Sequence, residues 1–106
     1  MAAAVVWSQG ALDDIAGIAE YIGRDSPYHA RRVVEDFFEI GDSIGERPLI
    51  GRVVPELKIP AVRERFVYSY RVLYEVAEDQ ISILAVIHGK RLLESIGDRL
   101  TPGGSS

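Results

Sequence analysis

The 106-residue chain predicts an α+β domain, in the order β-α-α-β-β-β-β, with a helix hairpin packed on one face of an antiparallel meander sheet. Three observations carry that prediction. Apolar residues recur at helical spacing through residues 12–44, the pattern of helices with one buried face. From residue 62 onward, runs rich in β-branched and aromatic residues replace it, the mark of strands. Between the two regions Gly45 and Pro48 stop the helical pattern.

Residues 3–7 form a short apolar run containing the β-branched pair Val5 and Val6, and read as a first strand. Ser8 follows in N-cap position, with Asp13 and Asp14 early in the helix that begins there. Leu12, Ile15, Ala16, Ala19 and Ile22 make its apolar stripe, and Gly23 weakens the pattern near its end. Ser26 and Pro27 restart it as N-cap and first helical residue. Ala30, Val33, Val34, Phe37, Gly41 and Ile44 make the second stripe. So short a connection predicts an antiparallel hairpin of helices.

Residues 51–54 suit a short strand, and Pro55 and Pro60 bracket a loop. Residues 62–67, 70–76 and 81–87 are three further strands, separated by Tyr68-Ser69 and by residues 77–80. If Val67 pairs with Tyr70 and Val76 with Ile81, alternation sends Tyr70, Val72, Tyr74, Val76, Ile81, Ile83, Ala85 and Ile87 to the face beneath the helices. Glu64, Phe66, Arg71, Leu73, Leu84, Val86 and His88 then take the other face, which is expected to stay open. A slip of one residue would reverse the assignment. Residues 92–100 suit a short helix. Residues 1–100 are expected to form a single domain, and the Gly/Ser-rich residues 101–106 a disordered tail.

Composition bounds the function. There is no cysteine, so disulfides and thiolate metal sites are excluded, which fits a reducing, cytoplasmic setting. No apolar run approaches the roughly 20 residues of a membrane span, and the N-terminus does not resemble a signal peptide. The net charge of -4 disfavours global nucleic-acid affinity. Nine acids and four bases lie in residues 1–50, against seven acids and eight bases in residues 51–106, so an anionic partner would meet the second half. Phosphate loops, nucleophile elbows and paired-histidine zinc motifs are absent. No metal or cofactor is expected.

Two clusters can carry chemistry. His88-Gly89-Lys90-Arg91 ends the last strand, where the glycine permits a bend that gathers three nitrogen bases. Such a group suits a phosphate or an acidic protein surface. The second cluster is Arg63-Glu64-Arg65 with Tyr70-Arg71. Arg71 on an open sheet can hold a scissile phosphate or a partner carboxylate; equally, it can pair across strands with Glu64. His29, among charged neighbours on the second helix, reads as a solvated surface residue.

Several segments, in order, carry a resemblance. They are Trp7 with the first helix start, Tyr21-Ile22, Ser26-Pro27 with Ala30, residues 47–52, Val54-Pro55-Glu56-Leu57, Val62-Arg63-Glu64, residues 70–74 and residues 81–91. Across roughly residues 5–92 the chain resembles the RelE/ParE toxin superfamily of type II toxin-antitoxin modules, with roles in growth inhibition and plasmid stabilization. The resemblance implies a cognate antitoxin whose flexible C-terminal segment wraps the toxin in a hetero-oligomer. RelE-like members cut messenger RNA on the ribosome, whereas ParE-like members poison DNA gyrase by binding. The Val-Pro-Glu-Leu, Val-Arg-Glu and His-Gly-Lys-Arg segments look closer to ParE. Lys58 in a Pro-flanked loop and the lack of any tyrosine after Tyr74 depart from the RelE-like pattern.

The resemblance leans toward a gyrase-binding toxin and away from an enzyme, and the two charged clusters make Arg71, His88, Lys90 and Arg91 the candidate target contacts. The alternatives are a ribosome-dependent endoribonuclease using Glu64, Arg71 and His88, and a non-toxic module kept for its antitoxin complex. For antitoxin contact the candidates are Ile18 and Phe38, at the edges of the apolar stripes, and Tyr21, outside them.

Overall fold

In the computed structural model, which describes residues 3–89, the elements run β1 (Ala4–Trp7), α1 (Gln9–Gly23), α2 (Pro27–Glu46), β2 (Arg52–Val53), β3 (Val62–Val67), β4 (Tyr70–Val76) and β5 (Gln80–His88). The expected helix at residues 92–100, the tail at 101–106, and Lys90 and Arg91 lie outside the described residues. Both helices start at the serines the sequence marks. The Ser8 hydroxyl accepts from the Ala11 N–H at 3.0 Å, and the Ser26 hydroxyl from the His29 N–H at 3.1 Å.

The five strands form one sheet in the order β1-β5-β4-β3-β2. From β2 to β5 it is the expected antiparallel meander, with Val67 opposite Tyr70 and Val76 opposite Ile81. β1 departs from that expectation. It joins the sheet beside β5 in parallel, from Ala4 opposite Gln80 to Trp7 opposite Ile83, so the sheet is mixed. Two helices intervene between β1 and the meander, and they return the chain to the opposite edge of the sheet.

The helix hairpin covers one face. Val33, Phe37 and Ile44 of α2 pack with Ala11 and Ile15 of α1 against Val72, Tyr74, Ile81 and Ile83. The stripe of α1 is rotated from the expected one: Ala11 and Ile15 are buried, while Leu12 and Ala16 are exposed. α1 lies against both α2 and β5, and the small Ala11 fits that corner. Close approach also governs α2 and β1. The Trp7 ring lies on Gly41, where a Cβ would collide with it, and the Gly45 carbonyl accepts from the Ala3 N–H at 2.8 Å.

The opposite face is not open. Residues 54–61 cross it as a strap, whose Val54, Leu57 and Ile59 pack on Val62, Leu73, Leu84, Ala85 and Ile87 in a second core. Two apolar residues inside a Pro-bracketed loop are enough to draw that loop onto the sheet.

The face assignment also changes partway along β5. Leu73 opposes Ala85 but Tyr74 opposes Ile83, so Leu84 is an extra residue, a β-bulge. Beyond it the alternation changes phase. Val86 enters the helix-side core, Ala85 and Ile87 join the strap-side core, and His88 comes opposite Tyr70. Ala85, Val86, Ile87 and His88 thus stand on the faces opposite to those expected. Tyr70, Val72, Tyr74, Val76, Ile81 and Ile83 stand where expected.

Candidate functional site

The strap-side face carries a closed ionic network. Arg71 comes from the middle of β4, Glu64 from β3, Arg52 from β2 and Glu56 from the strap. The Glu64 side chain is 0% exposed and that of Arg71 is 4% exposed. Arg71 Nε donates to Glu64 Oε1 at 2.6 Å, while its two terminal nitrogens donate to Glu56 at 2.7 and 2.9 Å. Arg52 Nε donates to the other Glu64 oxygen at 2.6 Å, and its guanidinium lies 5.4 Å from the centroid of the Phe66 ring. Charges this buried persist only when paired and hydrogen-bonded. The hydrogen bonds from Arg71 hold the Glu56 carboxyl down at about 2, from an ordinary 4.5. Those same bonds, Glu56 first, raise Arg71 further above its ordinary value. Two carboxylates thus face two guanidiniums, and every nitrogen of Arg71 is engaged.

Of the ribonuclease set, the structure brings Glu64 and Arg71 together and separates His88 from them. Because of the bulge, His88 sits on the helix side, its ring edge-on to that of Tyr70 at 5.9 Å. There it lines a cleft of about 370 Å³ between α1 and the ends of β4 and β5, together with Asp13, Asp14, Ile18, Tyr21, Tyr70 and Val86. Two of the three antitoxin candidates, Ile18 and Tyr21, therefore share a cleft with a target candidate. Tyr21 is 70% exposed. Phe38 stands apart, packed edge-on against Trp7 with centroids 4.7 Å apart.

The sequence reading missed a second groove, of about 460 Å³, between α2 and β3. Its walls include Ile40, Ile50, Val67 and Tyr68 with Asp36 and Glu39. The Tyr68 hydroxyl donates to Asp36, which pushes the phenol up from its ordinary value, and Tyr68 has a left-handed backbone with φ 55°. Arg65 lines this groove as well, and its Nη1 is buried without a hydrogen-bond partner among the described residues. Tyr74 is used structurally: its buried hydroxyl donates to the Pro48 carbonyl at 2.8 Å and accepts from the Gly51 N–H at 2.9 Å.

The reading also missed Ser8, Asp14 and Glu56 as partners of distant groups. Ser8 and Asp14 stand in it as a cap and an early helical acid, and Glu56 only as part of the Val-Pro-Glu-Leu segment. Nothing in local spacing ties them to residues 15 to 76 positions away. Among the described residues, no helix is long and apolar enough to cross a membrane.

The family model described as ParE toxin of the type II toxin-antitoxin system parDE matches residues 5–93. Toxin RelE2 of Caulobacter vibrioides is 36% identical over 91 residues, spanning 85% of this chain and 99% of that protein. The fold is similar to that in the chromosomal ParDE toxin-antitoxin system from P. aeruginosa, with TM-score 0.68 and 21% identity over 81% of this chain and 95% of that one. It is also similar to a mutant of E. coli toxin RelE in the free state, with TM-score 0.65 and 16% identity over 93% and 94% of the two chains.

Proposed function

This chain belongs to the ParE toxin family of type II toxin-antitoxin systems, and from that premise we propose that it arrests growth by binding and inhibiting DNA gyrase until a cognate antitoxin neutralises it. The observation that carries the choice of target is the closed network around Arg71. Cleavage of RNA by its own 2′-hydroxyl needs a cation free to stabilise the scissile phosphate and a proton acceptor beside it. Here the charge of Arg71 is matched by Glu56 and Glu64, and His88 stands on the other side of the sheet. This supports a toxin that acts by contact and not by cleavage.

The contact surface in this reading is the end of β5, where His88 leads into Lys90 and Arg91. Arg71 is too buried to touch a partner and serves to hold the strap and β4 together. The antitoxin covers the helix hairpin, with Ile18 and Tyr21 as anchors of the helix-in-groove kind.

The test has two arms. One measures gyrase supercoiling with added toxin, and the other measures messenger cleavage on translating ribosomes. Inhibited supercoiling with intact messenger is expected, together with relief of growth arrest when Lys90 and Arg91 are changed to glutamate. Cleavage that disappears in His88→Ala, with supercoiling untouched and the melt of the variant unchanged, would overturn the reading in favour of a ribonuclease. Silence in both arms while antitoxin still binds would leave a non-toxic binding module.

A further inference from the structure

We propose that the free edge of β1 is a docking surface for a second copy of this chain, joined β1 to β1 in antiparallel fashion about a two-fold axis at Val6. The inference stands apart from the choice of cellular target.

The two edges of the sheet are unlike. β2 is two residues long, carries Arg52 and lies between Pro48 and Pro55. Shortness, charge and proline all guard an edge against pairing with another chain. The residues of β1 are Ala4, Val5, Val6 and Trp7, without charge or proline, and they pair with β5 without a bulge. Among the described residues a strand lies on only one side of β1.

The backbone groups on the free side can be named. The Ser8 N–H donates to the Ile83 carbonyl at 3.0 Å, toward β5. Successive residues of a strand turn their backbone groups to opposite sides. Ala4 and Val6 therefore face β5 as Ser8 does, while Val5 and Trp7 turn theirs away from it. The side chains alternate as well. Those of Val5 and Trp7 pack on the helix-side core, which sends Val6 to the opposite face, where it is 46% exposed and belongs to neither core.

An occupant of this edge must be an uncharged, apolar, extended strand, and β1 itself meets that description. With Val6 opposite its own copy on the axis, Val5 of each chain comes opposite Trp7 of the other. These are the residues whose backbone groups turn outward, so each such pair exchanges both of its N–H···O bonds. Of the registers open to so short a strand, this one uses both outward residues of each copy. Val6 and its copy then form the pair without hydrogen bonds, the kind in which side chains approach most closely, and two β-branched residues meet there. The exposed valine is covered by the same step that satisfies the edge.

The test uses the purified full chain and the variants Val6→Lys and Val6→Glu. Sedimentation equilibrium is expected to show a monomer–dimer equilibrium in the native chain. Like charges facing each other across the axis are expected to weaken it at least about tenfold in either variant, and an equimolar mixture of the two, which sets lysine against glutamate, is expected to restore it. Hydrogen exchange reads the register. The amides of Val5 and Trp7 are expected to slow as the chain is concentrated, while that of Val6, turned to β5, stays unchanged. A native chain that is monomeric at every concentration would overturn the proposal, as would a dimer indifferent to both variants. Val5 and Trp7 amides that slow on adding antitoxin, and not on concentrating the chain, would also overturn it, by giving the edge to a strand of the antitoxin. Should a variant fail to fold, the exchange pattern of the native chain decides alone.

Discussion

The guanidinium of Arg71 and the carboxylate of Glu56 meet as two parallel hydrogen bonds, of 2.7 and 2.9 Å, between the middle of β4 and the strap that crosses it. This pairing joins the only segment covering the far face of the sheet, among the described residues, to a strand of its interior. Arg71→Ala is expected to destabilise the fold by roughly 3–5 kcal/mol, because Glu64 stays buried and loses its deepest partner. Glu56→Ala removes a carboxylate that is about half exposed and is expected to cost about 1 kcal/mol or less. Urea denaturation of both variants checks the order.

Acid should loosen the same joint. Glu56 is held at about 2 in the folded chain, below its ordinary 4.5. A carboxyl with a depressed folded value contributes stability above its unfolded value and loses it as pH falls through the folded one. The urea midpoint should therefore fall as pH drops from 4.5 toward 2, and more steeply in the native chain than in Glu56→Gln. Equal slopes in the two proteins would show that Glu56 has no part in the acid response.

Gly41 and Trp7 give a packing prediction. A Cβ on residue 41 would collide with the indole ring. Gly41→Ala is expected to cost roughly 1–3 kcal/mol as β1 or the ring gives way, despite the higher helix propensity of alanine. A thermal melt reads the loss as several degrees per kcal/mol.

Antitoxin binding separates anchors from packing residues. Tyr21→Ala is expected to weaken antitoxin affinity by about 2 kcal/mol or more if it anchors the partner, with little change in the melting of the free toxin, because its side chain stands in solvent. Phe38→Ala is expected to lower the melting temperature, because its ring packs on Trp7. Calorimetric titration beside a melt of each variant distinguishes the two effects.

Much of the fold is legible in the sequence. Both N-cap serines stand where expected, and the strands at Val62–Val67 and Tyr70–Val76 have the expected limits. The two-residue turn at Tyr68-Ser69 supplies the register between them. The bulge at Leu84 is not legible, because residues 81–87 are apolar at every position but Ser82 and give the alternation no phase. That single residue decides where His88 goes, and His88 alone of the described site candidates stands on the face opposite to the expected one. The direction of β1 is hidden in a strand of four residues, whose composition is alike for parallel and antiparallel pairing. The strap is hidden because Leu57 and Ile59 stand between prolines that mark only a loop.

The position of β5 has a consequence for how the chain is made. It is the last strand described in sequence, yet it lies inside the sheet, with β1 on one side and β4 on the other. During translation the helix hairpin can form from neighbouring residues, but β1 must wait for a partner 76 positions downstream, the separation that also divides Ser8 from Leu84. Ile81, Ile83 and Val86, which complete the main core, emerge with the same strand. A chain that ends before residue 80 lacks these side chains, and its helix hairpin is expected to stay without a filled core and open to proteolysis.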